Sequence, residues 1–218
     1  MRLRRWAAAL FLTAATASPA LPGERGAEPG TFDFYVLSLS WSPSYCAAEA
    51  EDANPEQCDA ARPYAFVVHG LWPQFESGYP EFCPSRQPER VPRRLVEAYH
   101  DIVPSAGLIG HQWRKHGSCT GLGQEAYFAL LREARGRIEI PEGLSRLERP
   151  LSVSPDKVEE EFRAANPGLD AAGIAVVCDG RYLREVRICM TRDLEFRPCE
   201  EVDEKSCRQR SVTMPPVR

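Results

Sequence analysis

Several common chemistries are missing from this sequence. There is no Gly-x-Gly-x-x-Gly or Gly-x-x-x-x-Gly-Lys stretch to cradle nucleotide phosphates, and no Gly-x-Ser-x-Gly turn to present a nucleophilic serine. None of the eight cysteines stands in the Cys-x-x-Cys spacing of structural zinc sites. No internal repeat is found. Beyond the first 20 residues no apolar run is long and charge-free enough to cross a bilayer. Basic charge is also short: the formal net charge is −4, and removing residues 1–20, which hold three arginines and no acid, takes it to −7. Such a chain does not coat nucleic acid through a broad basic face, although a locally positive cleft remains compatible with it. Histidine is scarce as well, with only His69, His100, His111 and His116.

The start is organised differently from the rest. Met1-Arg2-Leu3-Arg4-Arg5 is basic, Trp6 to Leu12 is apolar, and small residues follow, the three-part layout of a secretory signal peptide over 1–20, cleaved after Ala17 or Ala20. The expectation is an exported protein, periplasmic or secreted, with no membrane association once the signal is gone. The even number of cysteines fits an oxidised protein with four disulfides. Residues 21–30, rich in Gly, Pro and Glu, read as a flexible N-terminus, and 31–218 as a single domain.

Within that domain, Tyr35, Leu37, Leu39 and Trp41 alternate with smaller residues, the period of a strand with one buried face. Tyr64–Val68 is a second, shorter strand that leaves His69 at or past its end. Helices are expected over 91–103, over 124–137 and from the Ser154 cap, through Val158 and Phe162, to just before Asn166-Pro167-Gly168. Ile174–Cys178 and Tyr182–Cys189 flank Asp179-Gly180 as a hairpin with a two-residue turn. A further strand is read over 192–196, and the tail after Cys207 as loose. Helices preceding and separating short antiparallel strands give an α+β class, a central antiparallel sheet with flanking helices.

Three of the four histidines stand in two Trp-bearing stretches, His69-Gly70-Leu71-Trp72-Pro73 and His111-Gln112-Trp113-Arg114-Lys115-His116-Gly117-Ser118-Cys119. As a metal site this is poor. His111 and His116 are five apart rather than four, and no carboxylate sits beside His69, His111 or His116. As acid–base machinery it is good: one neutral and one protonated imidazole can take a proton from an attacking hydroxyl and give one to a leaving oxygen. Lys115 and a third histidine can stabilise charge on a phosphoryl group between them. These parts suffice to cleave RNA through its own 2′-hydroxyl, which DNA lacks. Trp72, Trp113, Phe75 and Tyr79 are candidate faces for a stacked base. His100, isolated on a helix, reads as a boundary residue.

The two stretches, with Phe66-Val67-Val68 before the first, closely resemble the two active-site motifs of the ribonuclease T₂ family, and the similarity extends over residues 31–207. The resemblance implies a disulfide-stapled α+β fold and a metal-independent, cofactor-free endoribonuclease. Its substrate would be single-stranded RNA and not DNA, and its product a 2′,3′-cyclic phosphate and then a 3′-phosphate; separately, the chain is expected to be a monomer. It implies His116 as general base, His69 as general acid, Lys115 as charge stabiliser, and His111 and Trp72 as contacts to phosphate and base. It also implies the pairs Cys46–Cys58, Cys83–Cys119, Cys178–Cys207 and Cys189–Cys199. Gln112 departs from the pattern, since the family usually has Glu there. An amide keeps the shape but not the charge. The expectation is an activity lowered by about 10–100-fold or shifted in pH, not abolished. The competing reading is a non-catalytic RNA-binding relative.

Overall fold

The run Phe34–Trp41 puts Tyr35, Leu37, Leu39 and Trp41 on one side of a strand and Phe34, Val36, Ser38 and Ser40 on the other. In the computed structural model, which describes residues 23–59 and 63–217, this run lies inside the main sheet. The signal-peptide expectation over 1–20 falls outside the described residues.

In chain order the strands are β1 (Glu24–Arg25), β2 (Phe34–Trp41), β3 (Phe66–Gln74), β4 (Pro80–Glu81), β5 (Leu151–Val153), β6 (Ile174–Cys178), β7 (Leu183–Met190) and β8 (Val212–Met214). The α-helices are α1 (Ser42–Glu49), α2 (Pro55–Cys58), α3 (Arg93–Tyr99), α4 (Ala106–Lys115), α5 (Gln124–Gly136), α6 (Glu142–Ser145), α7 (Pro155–Ala165) and α8 (Glu200–Glu204). The main sheet runs β3-β2-β7-β6, with every neighbouring pair antiparallel. The architecture is therefore α+β around a central antiparallel sheet.

One face of this sheet meets the helices. Tyr35, Leu37, Leu39, Trp41, Val186, Ile188 and Met190 share a buried cluster with Ile109 and Trp113 of α4, Tyr127, Phe128 and Leu131 of α5, and Val158 and Phe162 of α7. Burying side chains of this size stabilises by about 1.5–3 kcal/mol each, so this layer holds the sheet in place. The other face is not solvated, as alternation alone suggested: Phe34 and Val36 are buried there against Cys189 and Cys199. Two-sided burial explains why seven of the eight residues of β2 are inaccessible.

β3 runs farther than expected, straight through His69-Gly70-Leu71-Trp72-Pro73. Its pairing with β2 slips between Ser38↔Gly70 and Leu39↔Val68, leaving His69 as the unpaired residue of a β-bulge. A bulge turns successive side chains toward one face. Here it brings His69 onto the face that carries Trp72, Ser38 and Ser40.

Other expectations are corrected. Residues 24–25 are not loose: β1 pairs in parallel with β4, and Ala27 packs on the Cys83–Cys119 disulfide. The hairpin connection spans four residues, because Asp179 Oδ1 accepts from the amides of Arg181 (2.7 Å) and Tyr182 (2.6 Å) and rounds the turn with its side chain. Residues 192–196 make only an isolated Met190↔Phe196 bridge. The C-terminal tail is tied down by β8, paired with β5, and by Trp41 Nε1 donating to Pro215 O at 3.0 Å. The loop between Cys46 and Cys58 is largely helical, as α1 and α2. The expected 91–103 helix ends at Tyr99, with His100 as its cap.

The structure joins Cys46–Cys58, Cys83–Cys119, Cys178–Cys207 and Cys189–Cys199. Among the described residues no helix is long and apolar enough to cross a membrane.

Candidate active site

α4 brings the second motif to the first. Ser105 caps the helix by accepting from Leu108 N at 3.2 Å, and the helix ends at His116, whose amide bonds Gln112 O at 3.0 Å. Ile109 and Trp113 point into the core, while Gln112 reaches β3 and accepts a hydrogen bond from Trp72 Nε1 at 2.8 Å. An indole N–H only donates, so the oxygen of the Gln112 amide must face it. This bond passes directly over Gly70. A methyl group at 70 would lie 2.1 Å from Gln112 Oε1 and 2.2 Å from Trp72 Nε1, so glycine is required here by space.

Around Trp72 the site assembles. His116 stacks on the indole with ring centres 5.2 Å apart, and His69 meets it edge-on at 5.3 Å. The Arg187 guanidinium lies 5.1 Å from the indole centre. His69, Trp72, His111, Gln112, Lys115 and His116 all line one cleft of about 350 Å³, together with Phe75 and Tyr79. The structure thus gathers His69, His111, Lys115, His116 and Gln112 with three of the four candidate stacking aromatics, Trp72, Phe75 and Tyr79. Trp113 is not among them: it is 1% exposed, with Nε1 bonded to Pro88 O at 2.9 Å, and belongs to the core. His100 also lies outside the cleft. Among the described residues, no three His, Cys, Asp or Glu side chains are placed to share a metal ion.

The two imidazoles differ in setting. His116 is only 6% exposed, and its Nδ1 is buried without a hydrogen-bond partner. Burial first, then the nearby charges of Lys115, His111 and His69, hold its pKa well below the ordinary value of 6.5. His116 is therefore neutral at neutral pH, the state a general base needs. His111 is lowered too, through burial and then Lys115, Arg114 and His69. Lys115 Nζ stands 3.5 Å from Glu81 Oε2 and 5.8 Å from the Tyr79 ring centre.

His69 has a partner that the sequence did not reveal. Its Nδ1 hydrogen-bonds Glu185 Oε1, and Glu185 Oε2 takes a fork from Arg187, Nε at 2.9 Å and Nη2 at 2.8 Å. A carboxylate does therefore adjoin a site histidine, but it arrives from β7, 116 residues away. Burial pushes the Glu185 carboxyl up, yet the hydrogen bond and charge of His69, reinforced by Arg187, bring it down to about 2. The available signal was Arg184-Glu185-Val186-Arg187, charges alternating within an otherwise buried strand. Behind His69 lies a second cleft of about 250 Å³ lined by Ser40, Tyr45, Asn54, Ser105, Arg184 and Glu185.

Comparison with known proteins agrees with this geometry. A model of the Ribonuclease T2 family matches residues 32–199. The chain is 36% identical over 171 residues to a ribonuclease of Aeromonas hydrophila, covering 76% of this chain and 75% of that one. It is 36% identical over 184 residues to a probable ribonuclease of Haemophilus influenzae, covering 77% and 61% respectively. Among solved structures, an RNase-related protein from Calystegia sepium superposes with a TM-score of 0.67 at 18% identity, covering 86% of this chain and 98% of that one, a likeness of fold. With two thirds or more of the domain matched by family and by relatives, the chain belongs to the Ribonuclease T2 family and is a T2-type ribonuclease.

Proposed function

We propose that this enzyme is a metal-independent endoribonuclease that cleaves single-stranded RNA by attack of the ribose 2′-hydroxyl on the adjacent phosphorus. His116 takes the 2′-hydroxyl proton, the O2′–P bond forms, the P–O5′ bond breaks, and His69 gives a proton to O5′. The product is a 2′,3′-cyclic phosphate, and reversal of the two histidine roles with water as nucleophile yields a 3′-phosphate. Lys115 and His111 face the phosphoryl oxygens and offset the charge that builds there.

The observation that carries this reading is the arrangement of two unlike imidazoles around Trp72 in one cleft: His116 buried and neutral, His69 backed by an ionised carboxylate. A phosphate held between them has the cleft with Phe75 and Tyr79 on one side and the Ser40–Asn54 cleft on the other, room for the nucleosides flanking the scissile bond. Lys115, Arg187 and Lys205 supply cations locally in a chain of net negative charge. Gln112 retains the indole contact, so the site keeps its base, acid and cation, and this favours an enzyme over a non-catalytic RNA binder. Four disulfides support export to an oxidising compartment, periplasmic or secreted. The enzyme is read as a monomer without cofactor.

The test is incubation of the oxidised protein with single-stranded RNA and the matching DNA in chelator, followed by identification of the new ends. RNA-only cleavage leaving 2′,3′-cyclic phosphate is the expected result. RNA bound but left intact from mildly acidic to neutral pH would replace this reading with the RNA-binding one.

A further inference from the structure

Glu185 is 8% exposed, a setting in which a carboxylate persists only when its oxygens are paired. Both are: Oε1 by His69 Nδ1 and Oε2 by the Arg187 fork. The sheet register explains how the contact is reached. Glu185 stands opposite Ser40 and Arg187 opposite Ser38 on β2, so two small side chains separate β7 from β3 on this face. The bulge at His69 then turns the imidazole toward them. The other charged or titratable groups of the two clefts that His69 lines are Tyr79, His111, Lys115, His116, Glu201 and Lys205 in the larger one, and Tyr45 and Arg184 in the smaller one. Arg184 is already paired with Glu49 at 2.9 Å and Asp179 at 3.3 Å. Among the described residues Glu185 is the one carboxylate bonded to a histidine of the cleft.

An ionised carboxylate accepts and cannot donate, so Nδ1 of His69 must carry the hydrogen of that bond. The nitrogen left for the substrate is Nε2. We propose that Glu185 is a positioning residue for the reaction: it fixes His69 in the orientation that presents Nε2–H to the departing 5′-oxygen and balances the positive charge the ring carries as an acid, while Arg187 locks the carboxylate. The inference rests on the transesterification proposed above. In that step the proton leaves His69 Nε2 for O5′ as the P–O5′ bond breaks, His69 ends neutral with Nδ1–H kept, and Glu185 neither gains nor loses a proton. Position 112 does not serve this purpose, since Gln112 is engaged with Trp72. The carboxylate that matters to the acid comes instead from the sheet.

The experiment compares wild type with Glu185→Gln on two substrates, a ribodinucleotide and uridine 3′-(4-nitrophenyl phosphate), whose leaving group departs without a proton. Loss of the acid's support should lower kcat on the dinucleotide by about 100-fold, the lower end of what proton transfer typically contributes, with KM little changed. On the nitrophenyl ester the loss should be less than about threefold, because no proton is required there. Equal losses on both substrates, or no loss on either, would overturn the assignment. Should Glu185→Gln not fold, ¹⁵N-resolved NMR of the wild-type protein decides: neutral His69 in the Nδ1–H tautomer supports the proposal, and the Nε2–H tautomer refutes it. Wild-type protein that cleaves neither substrate overturns the ribonuclease mechanism itself, a result distinct from a change confined to the variant.

Discussion

Gly70→Ala is the sharpest test of how the two motifs are coupled. The backbone at 70 has no left-handed torsion, so the substitution introduces no dihedral strain and acts only through volume. The new methyl would lie 2.1 Å from Gln112 Oε1 and 2.2 Å from Trp72 Nε1, and neither atom can yield without opening the 2.8 Å bond between them. Leaving the buried Gln112 amide and the half-buried Trp72 N–H unpaired costs about 1–3 kcal/mol, and overpacking adds about 1–3 kcal/mol. The expected destabilisation is therefore about 2–5 kcal/mol, read by urea denaturation of the oxidised protein. Activity should suffer beyond stability, because Trp72 carries the stacked His116 and a misplacement of about 1 Å typically costs about 100-fold in rate. Gly136→Ala is the control: at the end of α5 a methyl meets nothing within 4 Å, and stability should hold or rise by up to about 1 kcal/mol. A Gly70→Ala protein within about 0.5 kcal/mol of wild type and within twofold in rate would refute the claim that this bond couples the motifs.

Further outcomes follow from the same geometry. His116 must be deprotonated to act, and its pKa is held well below 6.5, so lowering the pH to 6.5 should not reduce kcat/KM through this group and the acid-side decline should come only below it; an acid limb at or above 6.5 would contradict the burial argument. The same shift sets stability: the unfolded chain binds the proton that folded His116 refuses, so this contribution is complete above about pH 6.5 and lost as pH falls toward the folded pKa, which acid denaturation would register. Gln112→Glu can still accept from Trp72 while returning a carboxylate to the cleft, and should raise the rate by about 10–100-fold; an equal or lower rate across the pH range would show that the missing charge is not limiting. Replacing Cys83 and Cys119 together by serine opens a 36-residue closure and should cost about 3–4 kcal/mol in urea, with activity lost earlier than global structure because that link anchors the end of the second motif.

The sequence by itself determined the local chemistry. His69, His111, Lys115 and His116 were legible because scarce residue types were concentrated in two short stretches, and the helices over 124–136 and 155–165 because periodicity and caps are written locally. Tertiary structure decided what depends on residues distant in the chain. The reach of β3 through the first motif and the bulge at His69 follow from register against β2, which no local pattern encodes. The neutrality of His116 comes from the layers that bury it, the confinement of Trp113 to the core from the packing of α4, and the order of residues 24–25 and 212–214 from distant strands that supply their hydrogen bonds. Glu185 is the clearest case. A charge within a buried strand signals an unusual environment, but its partner lies two strands away, and only the folded sheet brings the carboxylate to His69.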